Sequence, residues 1–137
     1  MNNLELIIDA KIEKLDDVLD FVDGFLEENG CNMKTQTQIN IAVEEIFVNI
    51  AHYAYGSENG KAKIEIRDVD GSAEITFTDS GTPYNPLARP DPDITLSAEE
   101  RKIGGLGIYI VKKSMDNVNY EYLNGKNVFT IRKRMKA

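Results

Sequence analysis

The chain has 137 residues, 42% hydrophobic and 28% charged, the proportions of a soluble globular protein with room for one core. Its 16 Lys and Arg against 23 Asp and Glu give a net charge of −7, which opposes phosphate backbones and anionic lipid and argues against broad nucleic-acid or membrane-surface binding. Cys31 and His52 are the only residues of their types, so neither an internal disulfide nor a Cys/His metal cluster is available.

No apolar run approaches the roughly 20 residues that span a bilayer. The opening Met1-Asn2-Asn3-Leu4-Glu5 lacks the basic stretch and cleavage site of a secretory leader, so one acidic cytoplasmic domain over residues 1–137 is expected. Leu4, Leu6 and Ile8 alternate in a first strand that the intervening Ile7 suggests is buried on both faces. Val18, Leu19, Val22, Phe25 and Leu26 have helical spacing between Asp16 and Asn29, and Asn29-Gly30 stops that helix. Asp16, Asp20, Asp23 and Glu27 form an acidic stripe on its far side, read as a solvated face in preference to a docking surface.

Thr35-Gln36-Thr37-Gln38 has the form of a capping box and predicts a long helix to about Tyr55. Lys61–Val69 and Ser72–Asp79 read as a hairpin with a type I′ turn at Asp70-Gly71. A second hairpin joins Val118–Leu123 to Asn127–Arg132 across Asn124-Gly125, after a helix from Leu106 to Met115. All four prolines fall between Pro83 and Pro92, inside a segment from 82 to 103 too long for an ordinary connection and read as a lid over a ligand. Within it Ser97-Ala98-Glu99-Glu100 has the form of a short helical start. The order predicts an α/β two-layer sandwich, with helices on one face of a mixed, mainly antiparallel sheet.

Three clusters in this frame carry groups suited to chemistry. On the long helix, Ile39, Val43, Ile46, Phe47, Ile50 and Ala54 form the core face, and Glu45, Asn49 and His52 share the opposite one. Such a stripe faces either solvent or a cleft. In a cleft, an amide oxygen could ligate Mg²⁺ and a carboxylate one turn away could accept a hydroxyl proton. Asp79-Ser80-Gly81 ends a strand whose inward row is Ala73, Ile75 and Phe77, so the carboxylate needs a donor from protein or ligand. An adenine amino group would serve, with Gly81 admitting a flat base; a simple strand-ending turn is the alternative. Gly104-Gly105-Leu106-Gly107 opens the last helix, where unobstructed backbone N–H groups suit phosphates, and Arg101 and Lys102 precede it. A glycine hinge without a ligand is the other reading.

Glu45-x-x-x-Asn49, Asp79-x-Gly81, a lid and Gly105-x-Gly107, in that order, resemble the N, G1 and G2 boxes of the GHKL ATPases over nearly the whole chain. Ala42-Val43-Glu44-Glu45, Tyr55, Gly105-Leu106-Gly107, Ile110-Val111 and Met115-Asp116 bring the likeness to the bacterial anti-sigma-factor serine/threonine kinases. The resemblance implies the Bergerat ATP-binding fold and Mg-ATP as cosubstrate. It assigns Asn49 to Mg²⁺, Asp79 to adenine, Gly105 and Gly107 to the phosphates, and Glu45 as general base on a serine or threonine hydroxyl. It also implies a STAS-type anti-anti-sigma protein as substrate and a sigma factor held by a kinase homodimer. A nucleotide-gated binding protein without phosphoryl transfer is the alternative, needing Asp79 and the glycines but not Glu45. Two positions depart from the family pattern. Tyr53 stands four residues after Asn49 where His is frequent, and Gly125 is followed by Lys126 and Asn127 where a Gly-Thr pair is frequent, with Asn127 able to hydrogen-bond in place of the threonine.

Overall fold

The computed structural model describes residues 3–55, 59–88 and 105–136. In chain order these form β1 (Asn3–Asp9), a 3₁₀ turn (Ile12–Lys14), α1 (Leu15–Glu28), α2 (Met33–Tyr53), β2 (Lys61–Val69), β3 (Ser72–Asp79), a second 3₁₀ turn (Pro86–Ala88), α3 (Gly105–Ser114), β4 (Asn117–Leu123) and β5 (Lys126–Arg134). The strands make one sheet in the order β1-β2-β3-β5-β4. The two-layer α/β arrangement is as expected, and the sheet predicted as mixed and mainly antiparallel is antiparallel at every pairing among the described strands.

Both hairpins turn where their dipeptides predict. Asp70 and Gly71 have φ of 52° and 87°, and Asn124 and Gly125 have 54° and 78°, the paired positive values that type I′ geometry requires. α1 ends in a Schellman motif: Gly30, at φ 70°, donates to Glu27 O, and Cys31 N donates to Leu26 O. α2 starts earlier than its sequence pattern suggests. Its N-cap is Asn32, whose side-chain oxygen accepts from Thr35 N at 2.9 Å, so Thr35 lies inside the first turn instead of capping it.

The core lies between the helices and one face of the sheet. Ala62, Ile64 and Ile66 of β2, Ala73, Ile75 and Phe77 of β3, and Phe129 and Ile131 of β5 are buried there. Val18, Val22, Phe25 and Leu26 of α1 and the whole predicted apolar face of α2 meet them. β1 is an edge strand and differs from expectation: Leu6 and Ile8 pack inward, while Ile7 is 60% exposed on the open face. That face is polar. Glu74 sits there between its register partners Arg67 and Arg132, both of which donate to its carboxylate. No helix among the described residues is long and apolar enough to cross a membrane.

Candidate functional site

The strand alternation of β3 aims Asp79 at the helical layer, as its sequence predicts, and leaves it only 5% exposed. Its carboxylate is held by two donors on one oxygen: Gly81 N and Asn127 Nδ2 each reach Oδ1 at 2.9 Å. Burial raises the Asp79 pKa, and the hydrogen bonds from Asn127 and Gly81 oppose that rise. Asn127 lies directly across the β3–β5 ladder from Asp79. Its amide also donates to Thr82 O at 2.9 Å and accepts from Tyr84 N at 3.1 Å and from the Tyr120 hydroxyl.

Asp79 opens onto a largely apolar pocket between α2 and the sheet. Ile46 and Ile50 of α2, Phe77 of β3 and Phe129 of β5 line its interior, and Tyr53, Tyr84 and Tyr120 also border it. Asn49, Asp79 and Asn127 are its amide and carboxylate groups. The space measures about 410 Å³ with its open mouth. Sequence reasoning placed Asp79 and Asn49 here and did not foresee the tyrosines. Tyr55, on the other side of this corner, donates to Lys61 O at 2.6 Å and accepts from Ser80 N at 2.9 Å, pinning the start of β2 to the end of β3.

Gly81 is required, but by packing within the protein. A Cβ there would overlap the carbonyl of Ala54 and stand 2.7 Å from its Cα, and Thr82 N donates to Ala54 O at 2.6 Å. The close approach that Gly81 permits in this structure is to the end of α2.

Glu45 and Asn49 do not form an exposed stripe opposite the core. α3 packs across α2, and Gly107 in the first turn of α3 lies so close to Glu45 that a Cβ there would overlap its carboxylate and stand 2.6 Å from Cδ. Glu45 is half-buried, and its pKa is raised by that burial and by the neighbouring Glu44 carboxylate. Asn49 is half-buried one turn further on and lines the pocket. His52 separates from them: it is exposed, its ring 6.1 Å from that of Tyr53. Tyr53 lies 5.4 Å from the Tyr84 ring across the pocket rim.

Gly105 and Leu106 begin α3, with Gly107, as predicted to within one residue. Arg101, Lys102 and Gly104 lie outside the described residues, as do the turn predicted at Ser97 and the lid from 89 onward. The described start of the segment read as a lid is not structureless, since Pro86–Ala88 forms a 3₁₀ turn in which Leu87 N donates to Asn85 Oδ1 at 2.9 Å. No group of three or more His, Cys, Asp or Glu side chains among the described residues could hold a metal ion. Any divalent ion at Asn49 would therefore depend on oxygens brought by a ligand, the usual circumstance of Mg²⁺ beside phosphates.

A five-stranded antiparallel sheet covered on one face by three helices, with its pocket between α2 and the sheet, defines a GHKL-type α/β domain. The histidine kinase-like ATPase domain profile matches residues 8–133, and the chain belongs to that family. Among relatives, it is 28% identical to the serine-protein kinase RsbW of Listeria monocytogenes over 77% of this chain and 70% of that protein. It is 26% identical to RsbW of Bacillus mycoides over 91% of this chain and 81% of that one. Among solved structures, its fold matches the crystal structure of the RsbU and RsbW domains of a Mycobacterium tuberculosis protein with a TM-score of 0.70 at 16% identity, covering 97% of this chain and 32% of that one. The chain thus spans about a third of that longer protein. The catalytic domain of the histidine kinase ThkA matches with a TM-score of 0.55 at 16% identity over 96% of this chain and 98% of that domain.

Proposed function

We propose that this chain is an ATP-dependent serine/threonine protein kinase that phosphorylates a STAS-type anti-anti-sigma protein and, as a homodimer in the cytoplasm, sequesters a sigma factor. Membership of an ATPase family and similarity to proteins named serine-protein kinase RsbW support this reading. The observation that carries it is the placement of Glu45: a half-buried carboxylate with a raised pKa, packed against the glycine opening of α3 on the helix that lines the pocket. A half-buried acid with a displaced pKa beside a candidate phosphate-binding turn is the environment of a general base.

In this reading Asp79 accepts a hydrogen bond from the adenine amino group. The base sits between α2 and the sheet, with the tyrosines at its edge. Backbone N–H groups of Gly104, Gly105, Leu106 and Gly107 hold the phosphates at the start of α3, and Arg101 and Lys102 add positive charge. The side-chain oxygen of Asn49 holds Mg²⁺, which when bound neutralises phosphate charge. Glu45 takes the proton from the serine or threonine hydroxyl of the protein substrate. As that substrate hydroxyl oxygen bonds to the γ-phosphorus, the bond from the phosphorus to the β–γ bridging oxygen breaks and ADP leaves.

The test is transfer of labelled phosphate from ATP to a STAS-domain protein by wild type and Glu45→Ala. A base contributes about 10²–10⁴ in rate, so the variant is expected to bind ATP normally and lose transfer. Full transfer by Glu45→Ala would contradict the assignment. Nucleotide binding without transfer in wild type would favour a sequestering protein without kinase activity.

A further inference from the structure

Two of the three buried polar side chains among the described residues, Asp79 and Asn127, form one hydrogen-bonded pair. We infer that Asn127 is a positioning residue for base recognition: it fixes the Asp79 carboxylate so that Oδ2 is presented to the exocyclic amino group of an adenine ring. The inference rests on the ATP-binding reading above and adds to it a residue whose type departs from the family's usual one.

The Asn127 amide can adopt only one orientation. Its Nδ2 faces two acceptors, Asp79 Oδ1 and Thr82 O, each at 2.9 Å. Its Oδ1 faces two donors, Tyr84 N at 3.1 Å and the Tyr120 hydroxyl. An amide offers two N–H donors and two acceptor lone pairs, so all four capacities are used and a flipped amide would set like against like on both sides. The carboxylate is fixed in turn. Asp79 Oδ1 takes both Asn127 and Gly81 N, and these two anchors leave Oδ2 as the oxygen for a ligand donor. Because the same amide holds Thr82 and Tyr84, it also sets the pocket edge that the base must pass.

The experiment is calorimetric binding of ADP and of the purine riboside diphosphate that lacks the amino group, to wild type, Asn127→Ala and Tyr120→Phe. Wild type is expected to prefer ADP. In Asn127→Ala, ADP affinity falls about tenfold or more while the amino-free analogue loses much less, so the preference collapses. Tyr120→Phe removes one donor to the Asn127 amide and leaves Asp79 in place, so it shifts the preference the same way by a smaller factor. If Asn127→Ala does not fold, the ratio in Tyr120→Phe decides. A purely structural role for Asn127 would weaken both ligands equally, and that result overturns the inference while leaving the ATP site standing. A wild type that binds both ligands equally would overturn the adenine role of Asp79 itself, and a wild type that binds neither would overturn the ATP-binding reading.

Discussion

Gly107 of α3 lies against the carboxylate of Glu45 on α2, close enough that any side chain at position 107 would occupy the space of that carboxylate. The contact joins the helix carrying the proposed base to the helix opening proposed for the phosphates. It also separates two effects of one substitution. In Gly107→Ala the obstructing group is the far end of a flexible side chain, so Glu45 turns aside without backbone movement. Alanine favours a helix over glycine by about 1 kcal/mol. Thermal denaturation should therefore show the variant at least as stable as wild type, while phosphotransfer falls by an order of magnitude or more. A stable variant with full transfer would show that Glu45 need not hold this position.

Gly81→Ala should behave in the opposite way. Its new methyl meets the backbone of Ala54, which the hydrogen bond from Thr82 N holds in place. Backbone cannot give as a side chain can, so the cost is expected to be about 2 kcal/mol or more. That corresponds to a melting point lower by roughly 5–10 °C in a domain of this size. Unchanged melting would mean that the end of α2 and the turn after β3 are not locked together.

Asp79→Asn tests the energetic cost of keeping a carboxylate in the pocket. Burial raises the folded-state pKa of Asp79, so the charged form is disfavoured by folding. For such an acid, stability is fullest below the unfolded-state pKa and declines as pH rises through the window up to the folded-state value. Above the folded-state value that loss is complete, and the asparagine variant escapes it at any pH. Its oxygen can still accept from Gly81 and Asn127. Without nucleotide, Asp79→Asn is therefore expected to melt at or above the wild-type temperature at pH 7, with the advantage shrinking toward pH 4. A destabilised variant at neutral pH would show that the carboxylate serves the fold.

Glu45 predicts a pH dependence of rate. Burial, helped by Glu44, raises its pKa above the ordinary glutamate value. A base works only when ionised, so transfer should rise with pH through that elevated pKa and level off above it. Glu44→Gln removes the second cause and should move the inflection to lower pH. An inflection that stays in place would assign the titration to another group.

What the sequence disclosed was mostly local. Asp70-Gly71 and Asn124-Gly125 fix both hairpins because few other residues accept positive φ at both turn positions. The 3.6-residue spacing of Ile39, Val43, Ile46, Phe47 and Ile50 found the buried face of α2. What stayed hidden depended on contacts distant in the chain. Asn32 caps α2 while its Nδ2 donates to Met135 O at 3.2 Å, across 103 positions, and the nearer Thr35–Gln38 pattern concealed it. Glu45 and Asn49 lie opposite the core face of α2 by helical spacing, and it is the distant α3 that covers Glu45 and the pocket that takes Asn49. Asn127 faces Asp79 only because β5 lies beside β3, a neighbour relation that no local pattern encodes. For the same reason the alternating strand signal could orient Asp79 correctly and still miss the tyrosines around its pocket.

The central claim is an adenine-nucleotide site at Asp79. The most direct test is the melting temperature of wild type and Asp79→Asn with ADP, ATP or GTP in large excess, with and without Mg²⁺. A ligand at about 100 times its Kd adds about 2.7 kcal/mol to the native state. For this domain that should raise the wild-type midpoint by roughly 5–15 °C. The predicted result is such a shift with ATP and ADP, strengthened by Mg²⁺, absent with GTP and abolished in Asp79→Asn. A wild type unmoved by every adenine nucleotide, or an Asp79→Asn variant that shifts as far as wild type, would contradict it.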